Sequence, residues 1–203
     1  FRAGQPLVTF ISRDLEPLRG LRQLLKAWPL VSQALPEAQL VLVGGTGQGY
    51  CLQPPKGENH LVDALKQLPD TLNPEQIHHL GPLPHAAMLT LLQCSACHVA
   101  LSYPYTLSWS VLEALACSAP IISNPDSPIA VELQESAKDA LALVPFNDAE
   151  GLASRMIELL QQPQQARALG AAGRDWIERH GGLSKALKGY EKLFQSVREQ
   201  VVT

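Results

Sequence analysis

The sequence predicts an α/β domain built on a doubly wound parallel sheet. Short apolar runs rich in branched residues recur along the chain: Leu7–Ser12 (LVTFIS), Gln39–Val43 (QLVLV), Ile77–Leu80, Cys97–Leu101 (CHVAL), Pro120–Ser123 (PIIS) and Ala140–Val144. Segments with apolar residues every three or four positions, the helical period, separate most of these runs and close the chain. Strands that read apolar on both faces and alternate with helices belong to a parallel sheet covered on both sides. Right-handed crossovers then make the domain Rossmann-like.

Each element has a local reason. After the first strand, Gly20–Leu35 carries Leu21, Leu24, Leu25, Trp28 and Val31 on one helical face, with Pro29 expected to bend or strain it. The second strand stops at Gly44-Gly45, and the Gly- and Pro-rich stretch to Gly57 reads as a long loop. Leu61–Leu68 is a short helix. Ile77–Leu80 ends at Gly81-Pro82, and Pro84 opens a helix to Gln93, where a missing N–H costs nothing. Trp109–Cys117 is the next helix. Ala149–Gln161, Pro163–Arg179 and Leu183–Val197 are the closing helices, the last two parted by His180-Gly181-Gly182.

Composition narrows the function. Of 203 residues, 46% are hydrophobic and 17% charged, which suits a packed globular core and not a disordered chain. A net charge of −3 gives no basis for bulk binding of nucleic acid or an anionic membrane, although local basic spots can bind phosphate. No apolar run reaches the ~20 residues of a membrane span, and the N-terminus lacks the order of a signal peptide. The chain opens at Phe1 and runs at once into a strand, which suggests a piece of a longer protein. Cys51, Cys94, Cys97 and Cys117 read as reduced thiols. Cys94-Ser-Ala-Cys97 has redox or zinc spacing, but no second pair follows at zinc distance. Such sparse cysteine fits a cytoplasmic location.

Ligands of doubly wound sheets bind beyond the carboxyl ends of the strands. The loops after Ser12, Val43, Leu80 and Leu101 are therefore the candidate site. Arg13 and Arg19 lie between the first strand and its helix, and their forked donors suit a phosphate. Asp14 and Glu16 stand close enough to pair with them instead. A helix opening near Ser108 turns free N–H groups toward the same edge, where they attract anions, and Ser110 adds a hydroxyl. Glu113 follows Ser108 by five residues, about 7.5 Å along a helix, and its carboxylate can accept from two ribose hydroxyls. The alternative is a capping serine with a surface glutamate. Gly44-Gly45-Thr46-Gly47-Gln48-Gly49 is neither GxGxxG nor a P-loop, and reads as a mobile loop able to close over a ligand. His78 and His79 read as a strand-edge pair whose backbone can face a base. No complete catalytic constellation is visible.

The segments FISRDLEPLRGLRQLLKAWPLV, AQLVLVGG, IHHLGPLPHAAMLTLLQCSACHVAL and YPYTLSWSVLEALACSAPIIS resemble, in order, the C-terminal donor-binding domain of the retaining group 1 (family 4) glycosyltransferases of the GT-B fold. The likeness runs from about Leu7 to Phe194. It implies that Arg13 and Arg19 hold the donor pyrophosphate and act on the departing diphosphate. Arg19 stands where the family usually has lysine. It further implies that Ser108, Trp109 and Ser110 contact phosphate, that Glu113 binds the ribose, and that the main chain at His78 reads the base. Tyr105 replaces the first glutamate of the family's paired motif, and Thr106-Leu107-Ser108 replaces its glycine turn. This looks like a variant associated with surface polysaccharide synthesis.

The resemblance implies a nucleoside diphosphate sugar donor and a missing N-terminal domain that supplies the acceptor pocket; the net charge of −3 argues for no nucleic acid partner. Membrane association of the whole protein stays open. No cofactor or metal is expected, since the two arginines and the helix end can carry the diphosphate charge. The piece alone is expected to transfer no sugar, and its last helix to pack back toward the missing half. A GT-B nucleotide-sugar epimerase and a catalytically silent binding or scaffold module are the rival readings. A dinucleotide dehydrogenase is disfavoured by the absence of GxGxxG at the first turn.

Overall fold

The structure, a computed structural model, describes residues 4–47, 49–52, 54, 58–103, 107–133 and 137–201. Six strands form one parallel sheet: β1 (Leu7–Asp14), β2 (Gln39–Gly45), β3 (Ile77–His79), β4 (Cys97–Val99), β5 (Ile121–Ser123) and β6 (Ala142–Leu143). Their order is β3-β2-β1-β4-β5-β6, with every pairing parallel. The winding direction therefore reverses between β1 and β4, and the loops leaving those two neighbours diverge and open a crevice.

Helices cover both faces: α1 (Leu21–Ala34), α2 (His60–Leu65), α3 (His85–Gln93), α4 (Trp109–Ala116), α5 (Pro128–Leu133), α6 (Ala149–Gln161), α7 (Pro163–His180) and α8 (Leu183–Val201). One apolar layer joins Val8 and Phe10 of β1 to Leu21, Leu24, Trp28 and Val31 of α1 and to Met156 of α6. The other joins Ile121 of β5 to Leu115 of α4, Ile129 of α5 and Trp176 of α7. Alternate residues of a strand point to opposite faces, so a strand covered on both sides must be apolar throughout. β2 meets that demand, buried from Gln39 to Gly44.

The expected α/β, doubly wound, Rossmann-like fold is the fold observed. Pro29 lies inside α1, which continues for five further residues to Ala34. One local expectation changes. Helix α5 falls in a stretch from which no element is predicted. It has six residues, too few for a helical period to show against the Asn124-Pro125-Asp126-Ser127-Pro128 turn residues before it. No helix among the described residues is long and apolar enough to cross a membrane.

Candidate functional site

The crevice at the reversal point holds a cavity of about 640 Å³. Its floor is the carboxyl end of β1 and the chain leaving β4, from Val99 to Ser102. One wall carries Arg13, Asp14, Glu16 and Arg19; the facing wall is the start of α4, with Ser108, Trp109 and Ser110; Pro82, Leu83 and Met88 close a third side.

Glycine makes the arginine wall possible. A short 3-10 turn over Pro17–Arg19 ends at Gly20, whose φ of 82° favours a residue without Cβ. A Cβ there would lie 2.5 Å from Leu101 Cβ, so glycine lets this turn approach the chain leaving β4. The Tyr103 N–H donates to Leu18 O at 2.9 Å and fastens the two. Arg13 sits one residue inside the end of β1 and leaves 69% of its side chain exposed. Its Nε donates to Asp14 at 2.9 Å, and its guanidinium lies 5.0 Å from the Tyr50 ring centroid. The bond to Asp14 raises the Arg13 pKa above its ordinary value, with the Tyr50 hydroxyl adding to the effect.

Arg19 is more enclosed, with its Nε 4.0 Å from Glu16 Oε1. Glu16 is 3% exposed, and its Oε2 accepts from the N–H groups of Tyr50 (2.7 Å) and Cys51 (3.1 Å). Both pairings weighed from the sequence, Arg13 with Asp14 and Arg19 with Glu16, are therefore present. They differ in kind. An exposed pair such as Arg13–Asp14 contributes about 0–1 kcal/mol and exchanges readily for a stronger anion. The Glu16 carboxylate is committed to backbone donors, whose loss would leave a buried charge unsatisfied. It works as a clasp for the chain following β2.

That clasp revises the expected glycine loop. Gly44 and Gly45 belong to β2, and Gly44, at φ 146°, stands where a Cβ would meet Ser12 O at 2.1 Å. Tyr50 and Cys51 are bound back to Glu16, so this end of the loop is fixed by hydrogen bonds. Gln48, Gln53 and Pro55–Gly57 lie outside the described residues.

Ser108 is the N-cap of α4, but its hydroxyl does not cap; it lies 2.9 Å from Ser110 Oγ. The Ser108 side chain therefore leaves the first-turn N–H groups uncapped, and the start of α4 lines the cavity, where such groups serve as anion donors. Trp109 is 81% exposed. Behind the wall, Asn124 accepts from Ser102 N–H (2.8 Å) and donates to Ser102 O (3.0 Å), which fixes the chain as it leaves β4. Tyr105 and Thr106, where the resemblance places a missing glutamate and glycine turn, lie outside the described residues.

The fold thus brings Arg13, Arg19, Ser108, Trp109 and Ser110 to one cavity. His78 and Glu113 do not line it. Burial lowers the His78 pKa, and its Nε2 is 2.8 Å from Gln39 Oε1, toward the start of β2. Residues Pro82 and Leu83, four and five positions on, reach the cavity instead. Glu113 lies one helical turn beyond Ser110, and the His85 Nε2–H of α3 donates to its Oε1 at 2.8 Å. Sequence reading missed the bonds from Glu16 to the Tyr50 and Cys51 N–H groups, and it missed His85 and Asn124, whose partners are 20 or more residues away.

Cys97 is buried and its thiol is pushed up to about 12; Cys94 is exposed, and the two form no disulfide. Burial therefore keeps the Cys97 thiol protonated and unreactive.

The model of the family described as glycosyl transferases group 1 matches residues 1–176. A Corynebacterium glutamicum protein described as a GDP-mannose-dependent monoacylated alpha-(1-6)-phosphatidylinositol monomannoside mannosyltransferase is 29% identical over 188 residues, covering 88% of this chain and 44% of that protein. Among solved structures, sucrose-phosphate synthase from Thermosynechococcus elongatus superposes with a TM-score of 0.77 at 23% identity, over 98% of this chain and 47% of its own. Anabaena HepE, solved in complex with UDP-glucose, superposes with a TM-score of 0.76 at 19% identity, over 96% of this chain and 50% of its own. The chain spans half or less of the length of each of these relatives. With the family model covering most of its length, the chain belongs to the group 1 glycosyl transferases.

Proposed function

We propose that this chain is the donor-binding domain of a retaining glycosyltransferase. The whole enzyme transfers a glycosyl group from a nucleoside diphosphate sugar to a glycan or lipid-linked acceptor in surface polysaccharide synthesis, in the cytoplasm. The carrying observation is the convergence of Arg13, Arg19 and the uncapped start of α4 on one cavity at the reversal point of the sheet. In this reading the diphosphate displaces Asp14 from Arg13 and takes bidentate bonds from the guanidinium. Arg19 meets the second phosphate. The α4 N–H groups and Ser110 complete the cradle, with the helix dipole adding about 0.3–1 kcal/mol. As the glycosidic bond to the sugar breaks, negative charge collects on the departing diphosphate, where these fixed cations already point.

The nucleoside extends toward Leu83 and Met88, its ribose within reach of Glu113, its base beside the chain that leaves β3 after His78. The acceptor pocket belongs to an N-terminal domain that completes the enzyme. The apolar face of α8 packs against it, and the chain alone transfers no sugar. Relatives that bind or use nucleotide sugars, HepE with UDP-glucose and the GDP-mannose-dependent mannosyltransferase, support the donor class.

Calorimetric titration with UDP and with GDP tests this reading. One of them should bind, and Arg13→Ala and Glu113→Ala should each weaken it roughly tenfold or more, the weight of a charge-assisted contact. Equal binding by the double variant would remove the site.

A further inference from the structure

Glu113 is held before any ligand arrives. Across the groove between α3 and α4, the His85 Nε2–H donates to Glu113 Oε1 at 2.8 Å. The second oxygen, Oε2, has no hydrogen-bond partner among the described residues. The pair stands beside the cavity. Ser110, one turn before Glu113 on the same α4 face, lines it; so do Leu83 and Met88, which flank His85 on α3 and its approach. His85 is 67% exposed and Glu113 28%, so this is no buried strut of the core.

We propose that His85 is a positioning residue for nucleotide recognition. It fixes the Glu113 side chain in one rotamer, so that the carboxylate presents Oε2 to the ribose hydroxyls of a nucleoside diphosphate. A glutamate otherwise loses several rotamers when it binds a diol. Here that freedom is already gone, and affinity rises without a new contact to the ligand. The inference rests on the donor reading above. It adds a residue that no part of that reading requires.

Titrations with UDP and GDP, and with their 2′,3′-dideoxy counterparts, separate positioning from a plain tie between helices. His85→Ala should weaken binding of the natural nucleotide roughly five- to tenfold, the range of one hydrogen bond. It should leave the dideoxy ligand unchanged, since that ligand offers Glu113 nothing to hold. His85→Gln places an amide N–H where the imidazole N–H stood and should recover most of the loss. Equal losses on both ligands, or no loss on either, would overturn the proposal while leaving the donor site intact. If the unaltered chain binds neither UDP nor GDP, the donor reading itself fails and this inference goes with it.

Discussion

Helix α1 sets Leu21, Leu24, Leu25, Trp28 and Val31 at the spacing of one helical face, and α8 sets Leu183, Leu187, Tyr190, Phe194 and Val197 at the same spacing. In α1 every one of these side chains is at most 1% exposed, packed on β1 and α6. In α8 the same five positions are 48–75% exposed, and no described residue of the helix is buried. An amphipathic period reports that a helix has a face to bury; it carries no information about what covers that face. For α1 the cover is the sheet of the same chain. For α8 nothing among the described residues supplies it.

The sharpest way to break this contrast is at the covered face. Trp28 is fully buried, and Trp28→Ala should destabilise the chain by about 3–5 kcal/mol through lost transfer energy and the cavity left behind. Its indole N–H has no hydrogen-bond partner among the described residues, so Trp28→Phe should cost distinctly less. Urea unfolding followed by circular dichroism reads both. A loss under 1 kcal/mol for Trp28→Ala would mean that α1 is not the clamped element described.

The covered region also holds a titrating group. His98 on β4 is fully buried, with Nδ1 2.9 Å from the Thr9 hydroxyl, and burial pulls its pKa down to about 4. In the unfolded chain an imidazole titrates near 6.5. Between these values the unfolded state binds a proton that the folded state does not. Stability is therefore complete above pH 6.5 and falls as the pH drops toward 4, by about 3 kcal/mol for His98 alone. Unfolding midpoints measured from pH 7 to pH 4 should show this fall. His98→Asn, which keeps a polar atom near Thr9, should remove His98's share of it. An unchanged slope would place the proton-linked group elsewhere.

The same contrast explains what could be read from the chain before its structure. The strands at Gln39–Val43 and Pro120–Ser123, and the face of α1, declare themselves because apolar period and Gly or Pro punctuation are local properties. Arg13, Arg19 and Ser108 could be placed on one edge because carboxyl ends of parallel strands share an edge. Side-chain direction was less legible. The His78 ring turns toward Gln39, two residues from its register partner Val41, while the His79 Nε2 lies 2.9 Å from Gly44 O on the opposite face. Strand alternation would have separated the two histidines. The Glu16 clasp and the His85–Glu113 pair were not legible, because each depends on loop geometry that brings together residues 28 to 35 positions apart.

The smallest expected effect lies on the open face. Leu187→Ser and Phe194→Ser, on side chains 53% and 69% exposed, should each change the unfolding free energy of this chain by no more than about 0.5 kcal/mol. The comparison is strict, because burying such a side chain fully would be worth about 1.5–3 kcal/mol. A loss of that size on either substitution would show the α8 face already covered within the chain. A null result leaves five large apolar side chains whose burial energy is unspent. It also predicts where the effect reappears: the same two substitutions, made in the longer protein proposed above, should lower its stability by more than they lower that of this chain alone. That pattern would follow if the proposed N-terminal half is the surface on which α8 closes.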